Sequence, residues 1–154
     1  MHKLKMFVVL ALAQSFFMGA ALAQVHGTAE EAKTMATNAI AYIKAVGPEK
    51  AFADFTAKGG KWQDKDLYVF VVKYDGMTVA HGANQLLVGK NLIEMKDAGG
   101  KAFIQEMINI AKSKGSGWAD YLWTNPITKK TDQKSTYVIA IPGYDGFVGV
   151  GIYK

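Results

Sequence analysis

The 154-residue sequence contains no cysteine, no arginine and only three prolines. Without cysteine there can be no disulfide, thiolate zinc site, covalent c-type haem or thiol nucleophile. Without arginine the chain lacks the side chain that nucleic-acid readers use for bidentate contacts, so no nucleic-acid partner is expected. Every one of the 18 basic residues other than histidine is lysine. Metal-ligand spacing is also missing. Asp64-Lys65-Asp66 and Asp145 do not form an EF-hand loop and read as solvated turns, and His26 has no partner nearby in sequence. There is no G-x-S-x-G, H-E-x-x-H or P-loop, and Ser113, Ser116 and Ser135 have no evident histidine partner. No catalytic activity, metal or cofactor is therefore expected.

Long apolar runs are confined to the N-terminus. Lys3 and Lys5 precede the segment 6–23, which is apolar apart from Gln14 and Ser15 and ends in Ala21-Leu22-Ala23. A positive start, an apolar stretch and a small-x-small ending predict a signal peptide over residues 1–23, cleaved before Gln24. The rival reading is an uncleaved anchor, since the run approaches the ~20 residues of a membrane span. The expected mature domain, residues 24–154, is periplasmic or secreted. Losing Lys3 and Lys5 lowers the net charge from +5 to +3. That balance suits an anionic small ligand, and equally suits ordinary solubility.

Thr28-Ala-Glu-Glu31 is a capping box, and Ala32, Met35, Ala36, Ala39, Ile40 and Ile43 recur at helical spacing behind it. A helix is predicted from Ala29 to Val46, stopped by Gly47-Pro48. A short second helix carries Ala51, Phe52 and Phe55. A third helix, 101–114, presents Phe103, Ile104, Met107, Ile108 and Ala111 on one face. Strands are predicted at 67–75, 77–81, 117–124, 135–142 and 147–153, with Asp75-Gly76 as a hairpin turn. Five strands with hairpin links and grouped helices describe an α+β antiparallel sheet domain.

The motifs Asp75-Gly76, Ala80-His81, Val88-Gly89-Lys90-Asn91, Gly117-Trp118, Tyr121, Trp123, Asn125-Pro126, Lys134 and Tyr137-Val138 together give the chain a family likeness. It resembles the single Cache domain, type 2, the small-molecule-sensing module of bacterial chemoreceptors and sensor kinases. The resemblance implies a PAS-like five-stranded antiparallel sheet with a long N-terminal helix. It also implies a short organic acid, such as acetate, lactate or pyruvate, as ligand. In two respects the chain departs from the pattern. The family often has His-Pro where His81-Gly82 stands, and its receptors carry flanking membrane helices and an output domain. The sequence here stops just after the last strand, so a sensing role would pass through a separate membrane kinase or chemoreceptor.

Strand alternation puts Tyr121 and Trp123 on one face of 117–124, and Trp118 on the other unless the glycine bends turn it. On 67–75, Tyr68 and Phe70 share a face, and Lys73 marks the opposite, wetter one. The candidate binding residues are Tyr68, Phe70, His81, Lys90, Trp118, Tyr121, Trp123, Lys134 and Tyr137. In this scheme aromatic rings line a pocket between the third long strand and the segment after His81. His81 donates to a carboxylate, with added attraction if protonated. Gly89 lets Lys90 fold over the site, and Lys134 projects from just before a facing strand. Each residue also has a plain structural reading: the aromatics as core, His81 as a surface residue, Lys90 as an exposed loop lysine. Three functions stand open. They are an exported sensor for a small carboxylate, a ligand-independent module docking on a membrane kinase or receptor, and an enzyme or haem carrier.

Overall fold

The computed structural model describes residues 26–154, so the predicted leader and its cleavage point lie outside the described residues. Helix α1 spans Ala29–Val46 and starts at the predicted capping box. Thr28 Oγ1 accepts from the Glu31 N–H, and the Glu31 carboxylate accepts from the Thr28 N–H. Helix α2, Pro48–Thr56, begins with proline, whose missing N–H has no partner to lose at a first turn. The strands are β1 (Gln63–Asp64), β2 (Leu67–Lys73), β3 (Thr78–His81), β4 (Ser116–Thr124), β5 (Thr131–Ala140) and β6 (Gly146–Tyr153). Helix α3, Phe103–Lys114, lies between β3 and β4. The sheet is antiparallel with order β1-β2-β6-β5-β4, and β3 pairs with the same edge of β2 beyond β1. The five predicted strands are present, and the two-residue β1 makes a sixth. So short a pair carries no periodic signal. Strand β5 begins at Thr131, four residues before its predicted start, because the hairpin after Asn125 is tight and pairs Thr124 with Thr131.

Each sheet face carries its own core. Leu67, Val69, Val71, Val148 and Val150 pack beneath α1 and α2, against Ala32, Ala36, Ala39 and Phe55. The alanine stripe of α1 brings the helix close to the sheet. Full burial of a side chain such as Phe55 contributes roughly 1.5–3 kcal/mol. The opposite face, with Phe70, Val72, Val138 and Phe147, packs beneath α3 through Phe103, Ile104, Met107 and Ile108. Both faces of β2 are therefore dry, and the expectation of a wetter side marked by Lys73 is corrected. The faces of a strand with six buried residues cannot be told apart by hydropathy.

The turn at Asp66 differs more sharply from its reading. Asp66 is fully buried. Its carboxylate accepts from the Gly27 N–H (2.7 Å) and the Asn125 side-chain amide (3.2 Å), and lies 2.6 Å from His26 Nδ1. The Asn125 carbonyl in turn accepts from the Ile127 and Thr128 N–H groups. Asp66, His26 and Asn125 thus staple the chain entry to the β4–β5 hairpin. Their partners lie 40 and 59 residues away in sequence, beyond the reach of local spacing.

Candidate functional site

The α3 side of the sheet is where the chemistry gathers. Residues 147, 149, 151 and 153 of β6 point to that side, and two of them are glycines. A Cβ on Gly149 would fall 2.3 Å from the Phe70 ring, and one on Gly151 would fall 2.3 Å from Lys134 Cε. These bare positions form a channel across the middle strand. Phe70, from β2, lies over Gly149. Lys134, from β5, stretches over Gly151 and brings Nζ to 2.5 Å from the Tyr68 hydroxyl on β2. Nζ sits 4.0 Å from the Tyr68 ring centre and 4.9 Å from that of Tyr153.

Lys134 is 1% exposed, and Tyr68 is the only hydrogen-bond partner of its amine among the described residues. No carboxylate touches it. Burial drives its ammonium well below the ordinary lysine value, and the field of Asp66 opposes that only in part. Burial likewise raises the Tyr68 and Tyr121 phenols well above their usual value. Tyr121 is anchored by its hydroxyl, 3.0 Å from Thr136 Oγ1, and its ring stacks at 4.6 Å on Phe103 from α3.

His81 ends β3 with its ring stacked 5.8 Å from Phe70 and 5.0 Å from Tyr68. Its Nδ1 accepts from the Asn84 N–H (3.0 Å) and the Ala83 N–H (3.3 Å). Two donors on Nδ1 place the proton on Nε2, for which no partner is found among the described residues. Burial, then the neighbouring Lys134 charge, lowers its pKa to about 3. Burial is the larger cause and persists when Lys134 is neutral. His81 is thus a neutral N–H donor, which corrects the expectation of a protonated imidazole. Gly82 N–H extends the ladder to the Val69 carbonyl at 2.9 Å, a bond that proline at this position could not make.

Tyr68, Phe70, His81, Tyr121 and Trp123 converge on one hollow, closed by Leu92 and by Phe103 and Ile104 of α3. The roof is the first turn of α3 rather than the 82–91 segment. The hollow is nearly filled by these side chains. About 10 Å³ remains for the centre of a water-sized molecule, enough for roughly one water. Trp123 is half-buried, 5.4 Å from Phe103. Thr78 also lines the space, and its Oγ1 is buried without a partner. Such an orphan costs about 1–3 kcal/mol unless something binds it.

Three candidates lie elsewhere. Trp118 and Tyr137 pair at 5.2 Å on the opposite face, beneath α1, because odd and even positions of a strand point apart. Lys90 is exposed; its carbonyl accepts from the Thr78 N–H and its own N–H donates to the Leu87 carbonyl. A larger groove of about 700 Å³ runs along α1, lined by Met35, Tyr42 and Trp62. It contains neither Lys134 nor His81. Sequence reasoning missed Thr78, Gly149, Gly151 and Tyr153. The alternation Phe147-Val-Gly-Val-Gly-Ile-Tyr153 was the available signal, since it sets two glycines between two aromatics on one face. Among the described residues no group of three or more His, Asp or Glu could hold a metal ion. No helix among them is long and apolar enough to cross a membrane.

The sequence model described as single Cache domain 2 matches residues 5–154. The chain belongs to the single Cache domain 2 family. Its relatives include the sensor histidine kinase MctS of Rhizobium johnstonii, 34% identical over 89 residues, which are 58% of this chain. The methyl-accepting chemotaxis protein McpP of Pseudomonas putida is 23% identical over an alignment covering 99% of this chain. The matched parts are 19% and 31% of those two proteins. The fold is shared with a methyl-accepting chemotaxis protein from Vibrio parahaemolyticus. There the TM-score is 0.69 at 24% identity, covering 80% of this chain and 86% of that one. A second solved Cache chemosensory domain, described for carboxylic acid recognition, gives 0.63 at 23% identity, with 80% and 86% covered. The chain is thus a Cache sensor domain, of the kind found in chemotaxis receptors and sensor kinases, and its α+β Cache fold agrees with the expected one. Cache domains of this kind are signalling modules, typically periplasmic.

Proposed function

We propose that this Cache domain is an extracytoplasmic sensor that binds a short monocarboxylate in the hollow beneath α3. The signal passes to a membrane kinase or chemoreceptor. The observation that carries the proposal is Lys134: a fully buried amine whose single polar partner is a phenol, with no carboxylate supplied by the fold. An organic acid supplies the missing anion. Lys134, Tyr68 and the His81 Nε2–H bind its oxygens, with Thr78 Oγ1 as a further polar contact. One cationic group and an otherwise apolar wall of Phe70, Leu92, Phe103 and Ile104 favour one carboxylate and a small apolar tail. A second carboxylate would be left unpaired and buried. The chemosensory domain described for carboxylic acid recognition, although only 23% identical, is consistent with this ligand class.

The hollow is too small for such a ligand as it stands, so binding moves its walls. Trp123 is the one half-buried side chain among these walls. A ligand that displaces them favours one conformation over another, which is what sensing requires. Export of the mature domain after Ala23 belongs to the same proposal, supported by the leader-like residues 1–23.

Thermal-shift screening against short organic acids, then calorimetry, tests the reading with wild type and Trp123→Ala. The expected result is binding by wild type and its loss in a variant that keeps its circular dichroism. If no short acid binds, or if Trp123→Ala unfolds, the aromatic wall is core and the proposal fails.

A further inference from the structure

We infer that ligand binding in this hollow takes up a proton: Lys134 is a neutral amine in the empty protein and becomes an ammonium when a carboxylate arrives. The inference rests on the carboxylate reading above. Its geometric basis is the set of titratable groups that face the amine among the described residues. Strand β2 presents Tyr68, β3 presents His81, β4 presents Tyr121 and β6 presents Tyr153. None of these is an anion at neutral pH. Helix α3 lines the adjoining hollow with Phe103 and Ile104, neither of which is charged.

The nearest acid in the interior, Asp66, is already held by Gly27 N–H, Asn125 and His26. A surface groove along the outer stem of Lys134 holds Asp97, Asp120, Lys101 and Lys154. There Asp97 accepts from the Gly99, Lys101 and Leu122 N–H groups, and Asp120 pairs with Lys154. Neither acid reaches Lys134. An ammonium has three protons to place, and this one finds a single oxygen among the described residues. The stem lies against bare Gly151, and the whole side chain is buried. A neutral amine fits these surroundings; a charged one does not.

The chemistry balances simply. A carboxylate and a solvent proton enter, the amine lone pair takes the proton, and the product is a buried ion pair. No bond in the ligand is made or broken. The site in effect absorbs the undissociated acid, and it responds to acidity as well as to concentration. The linkage gives a sign. Above the native pKa of the empty site, one proton per ligand makes affinity fall about tenfold for each unit that pH rises. His81 does not contribute, since it is neutral with and without ligand in this range.

The experiment is acetate titration by calorimetry on the wild-type protein at pH 7.5, in phosphate and in Tris, which differ in ionisation enthalpy. Uptake of about one proton per acetate is expected, with the tenfold-per-unit loss of affinity up to pH 9. Lys134→Arg, whose charge does not titrate here, is expected to bind acetate without proton uptake. Acetate binding by wild type with no proton exchange and no pH dependence overturns the inference and leaves the carboxylate reading standing. Equal uptake by Lys134→Arg also overturns it, because the proton then goes elsewhere. If neither acetate nor any other short acid binds, the reading and the inference fall together.

Discussion

Replacing Lys134 with methionine asks whether the protein keeps this residue for stability or for its ligand. The substitution removes the amine and fills the same channel over Gly151 with an unbranched apolar chain. Two effects oppose each other. The Tyr68 hydroxyl loses its partner while buried, which costs about 1–3 kcal/mol. Against this, the unfolded chain no longer gains by protonating a lysine that the native state keeps neutral. The native pKa lies below the ordinary value of 10.5, so between the two the unfolded state holds the extra proton. Wild-type stability therefore falls as pH drops through that window, by about tenfold in the folding equilibrium per unit. With the native amine neutral, the relief grows about tenfold for each unit that pH falls below the ordinary 10.5, so the variant gains on wild type as pH falls and overtakes it once the relief exceeds the lost hydrogen bond. Urea unfolding at pH 7, 8 and 9 reads this directly, with the variant-minus-wild-type difference expected to widen as pH falls. Over the same series acetate affinity at pH 7 should drop about 10- to 150-fold, the equivalent of one charge-assisted hydrogen bond. A difference that stays flat from pH 7 to 9 would show Lys134 charged in the native protein. Strong destabilisation with affinity retained would make it a structural residue.

Gly149→Ala sets a Cβ 2.3 Å from the Phe70 ring. It should lower stability by about 1–3 kcal/mol and weaken acetate binding, because Phe70 can yield only into the hollow. Denaturation and calorimetry on the same preparation check both effects. His81 predicts the acid side of the stability profile. Its native pKa of about 3 lies below the ordinary 6.5, so between these values the unfolded chain binds the extra proton. Stability falls as pH drops below 6.5, about tenfold per unit. His81→Asn keeps an acceptor for the Ala83 and Asn84 N–H groups but cannot titrate. Its stability between pH 6.5 and 4 should fall less steeply than wild type's, by one proton equivalent.

Most of the fold was legible because its signals are local. Helix α1 begins and ends where Thr28, Glu31 and Gly47 put it, since capping and stopping act within a few residues. The β2–β3 hairpin follows Asp75-Gly76 for the same reason. Strand parity then separated Trp118 from Tyr121 and Trp123 correctly, although it could not tell which side would be covered by α1. Residues whose surroundings come from far along the chain were misread. Asp66 reads as a solvated turn in the sequence because its partners, His26 and Asn125, lie 40 and 59 residues away. Lys90 was drawn toward the site by the flexibility of Gly89, which says where a backbone can go and nothing about what it meets.

The decisive pairing, Lys134 with Tyr68, spans 66 residues and crosses a strand that forms last in the sequence. Strand β6 inserts between β2 and β5, so the two side chains would ordinarily be separated by a row of its side chains. They meet because that row is bare at Gly151 and, one pleat further on, at Gly149. A glycine in a strand weakens pairing and packs nothing, so two on one face of a central strand are a local loss. The loss is repaid only if the space they open is used. Here a lysine occupies one part of it and a phenylalanine the other, and between them they place an unpaired amine beside an aromatic hollow. Restoring a side chain at Gly151 would close the passage and return Lys134 to solvent. The chain would keep its sheet and lose its reason for burying an amine.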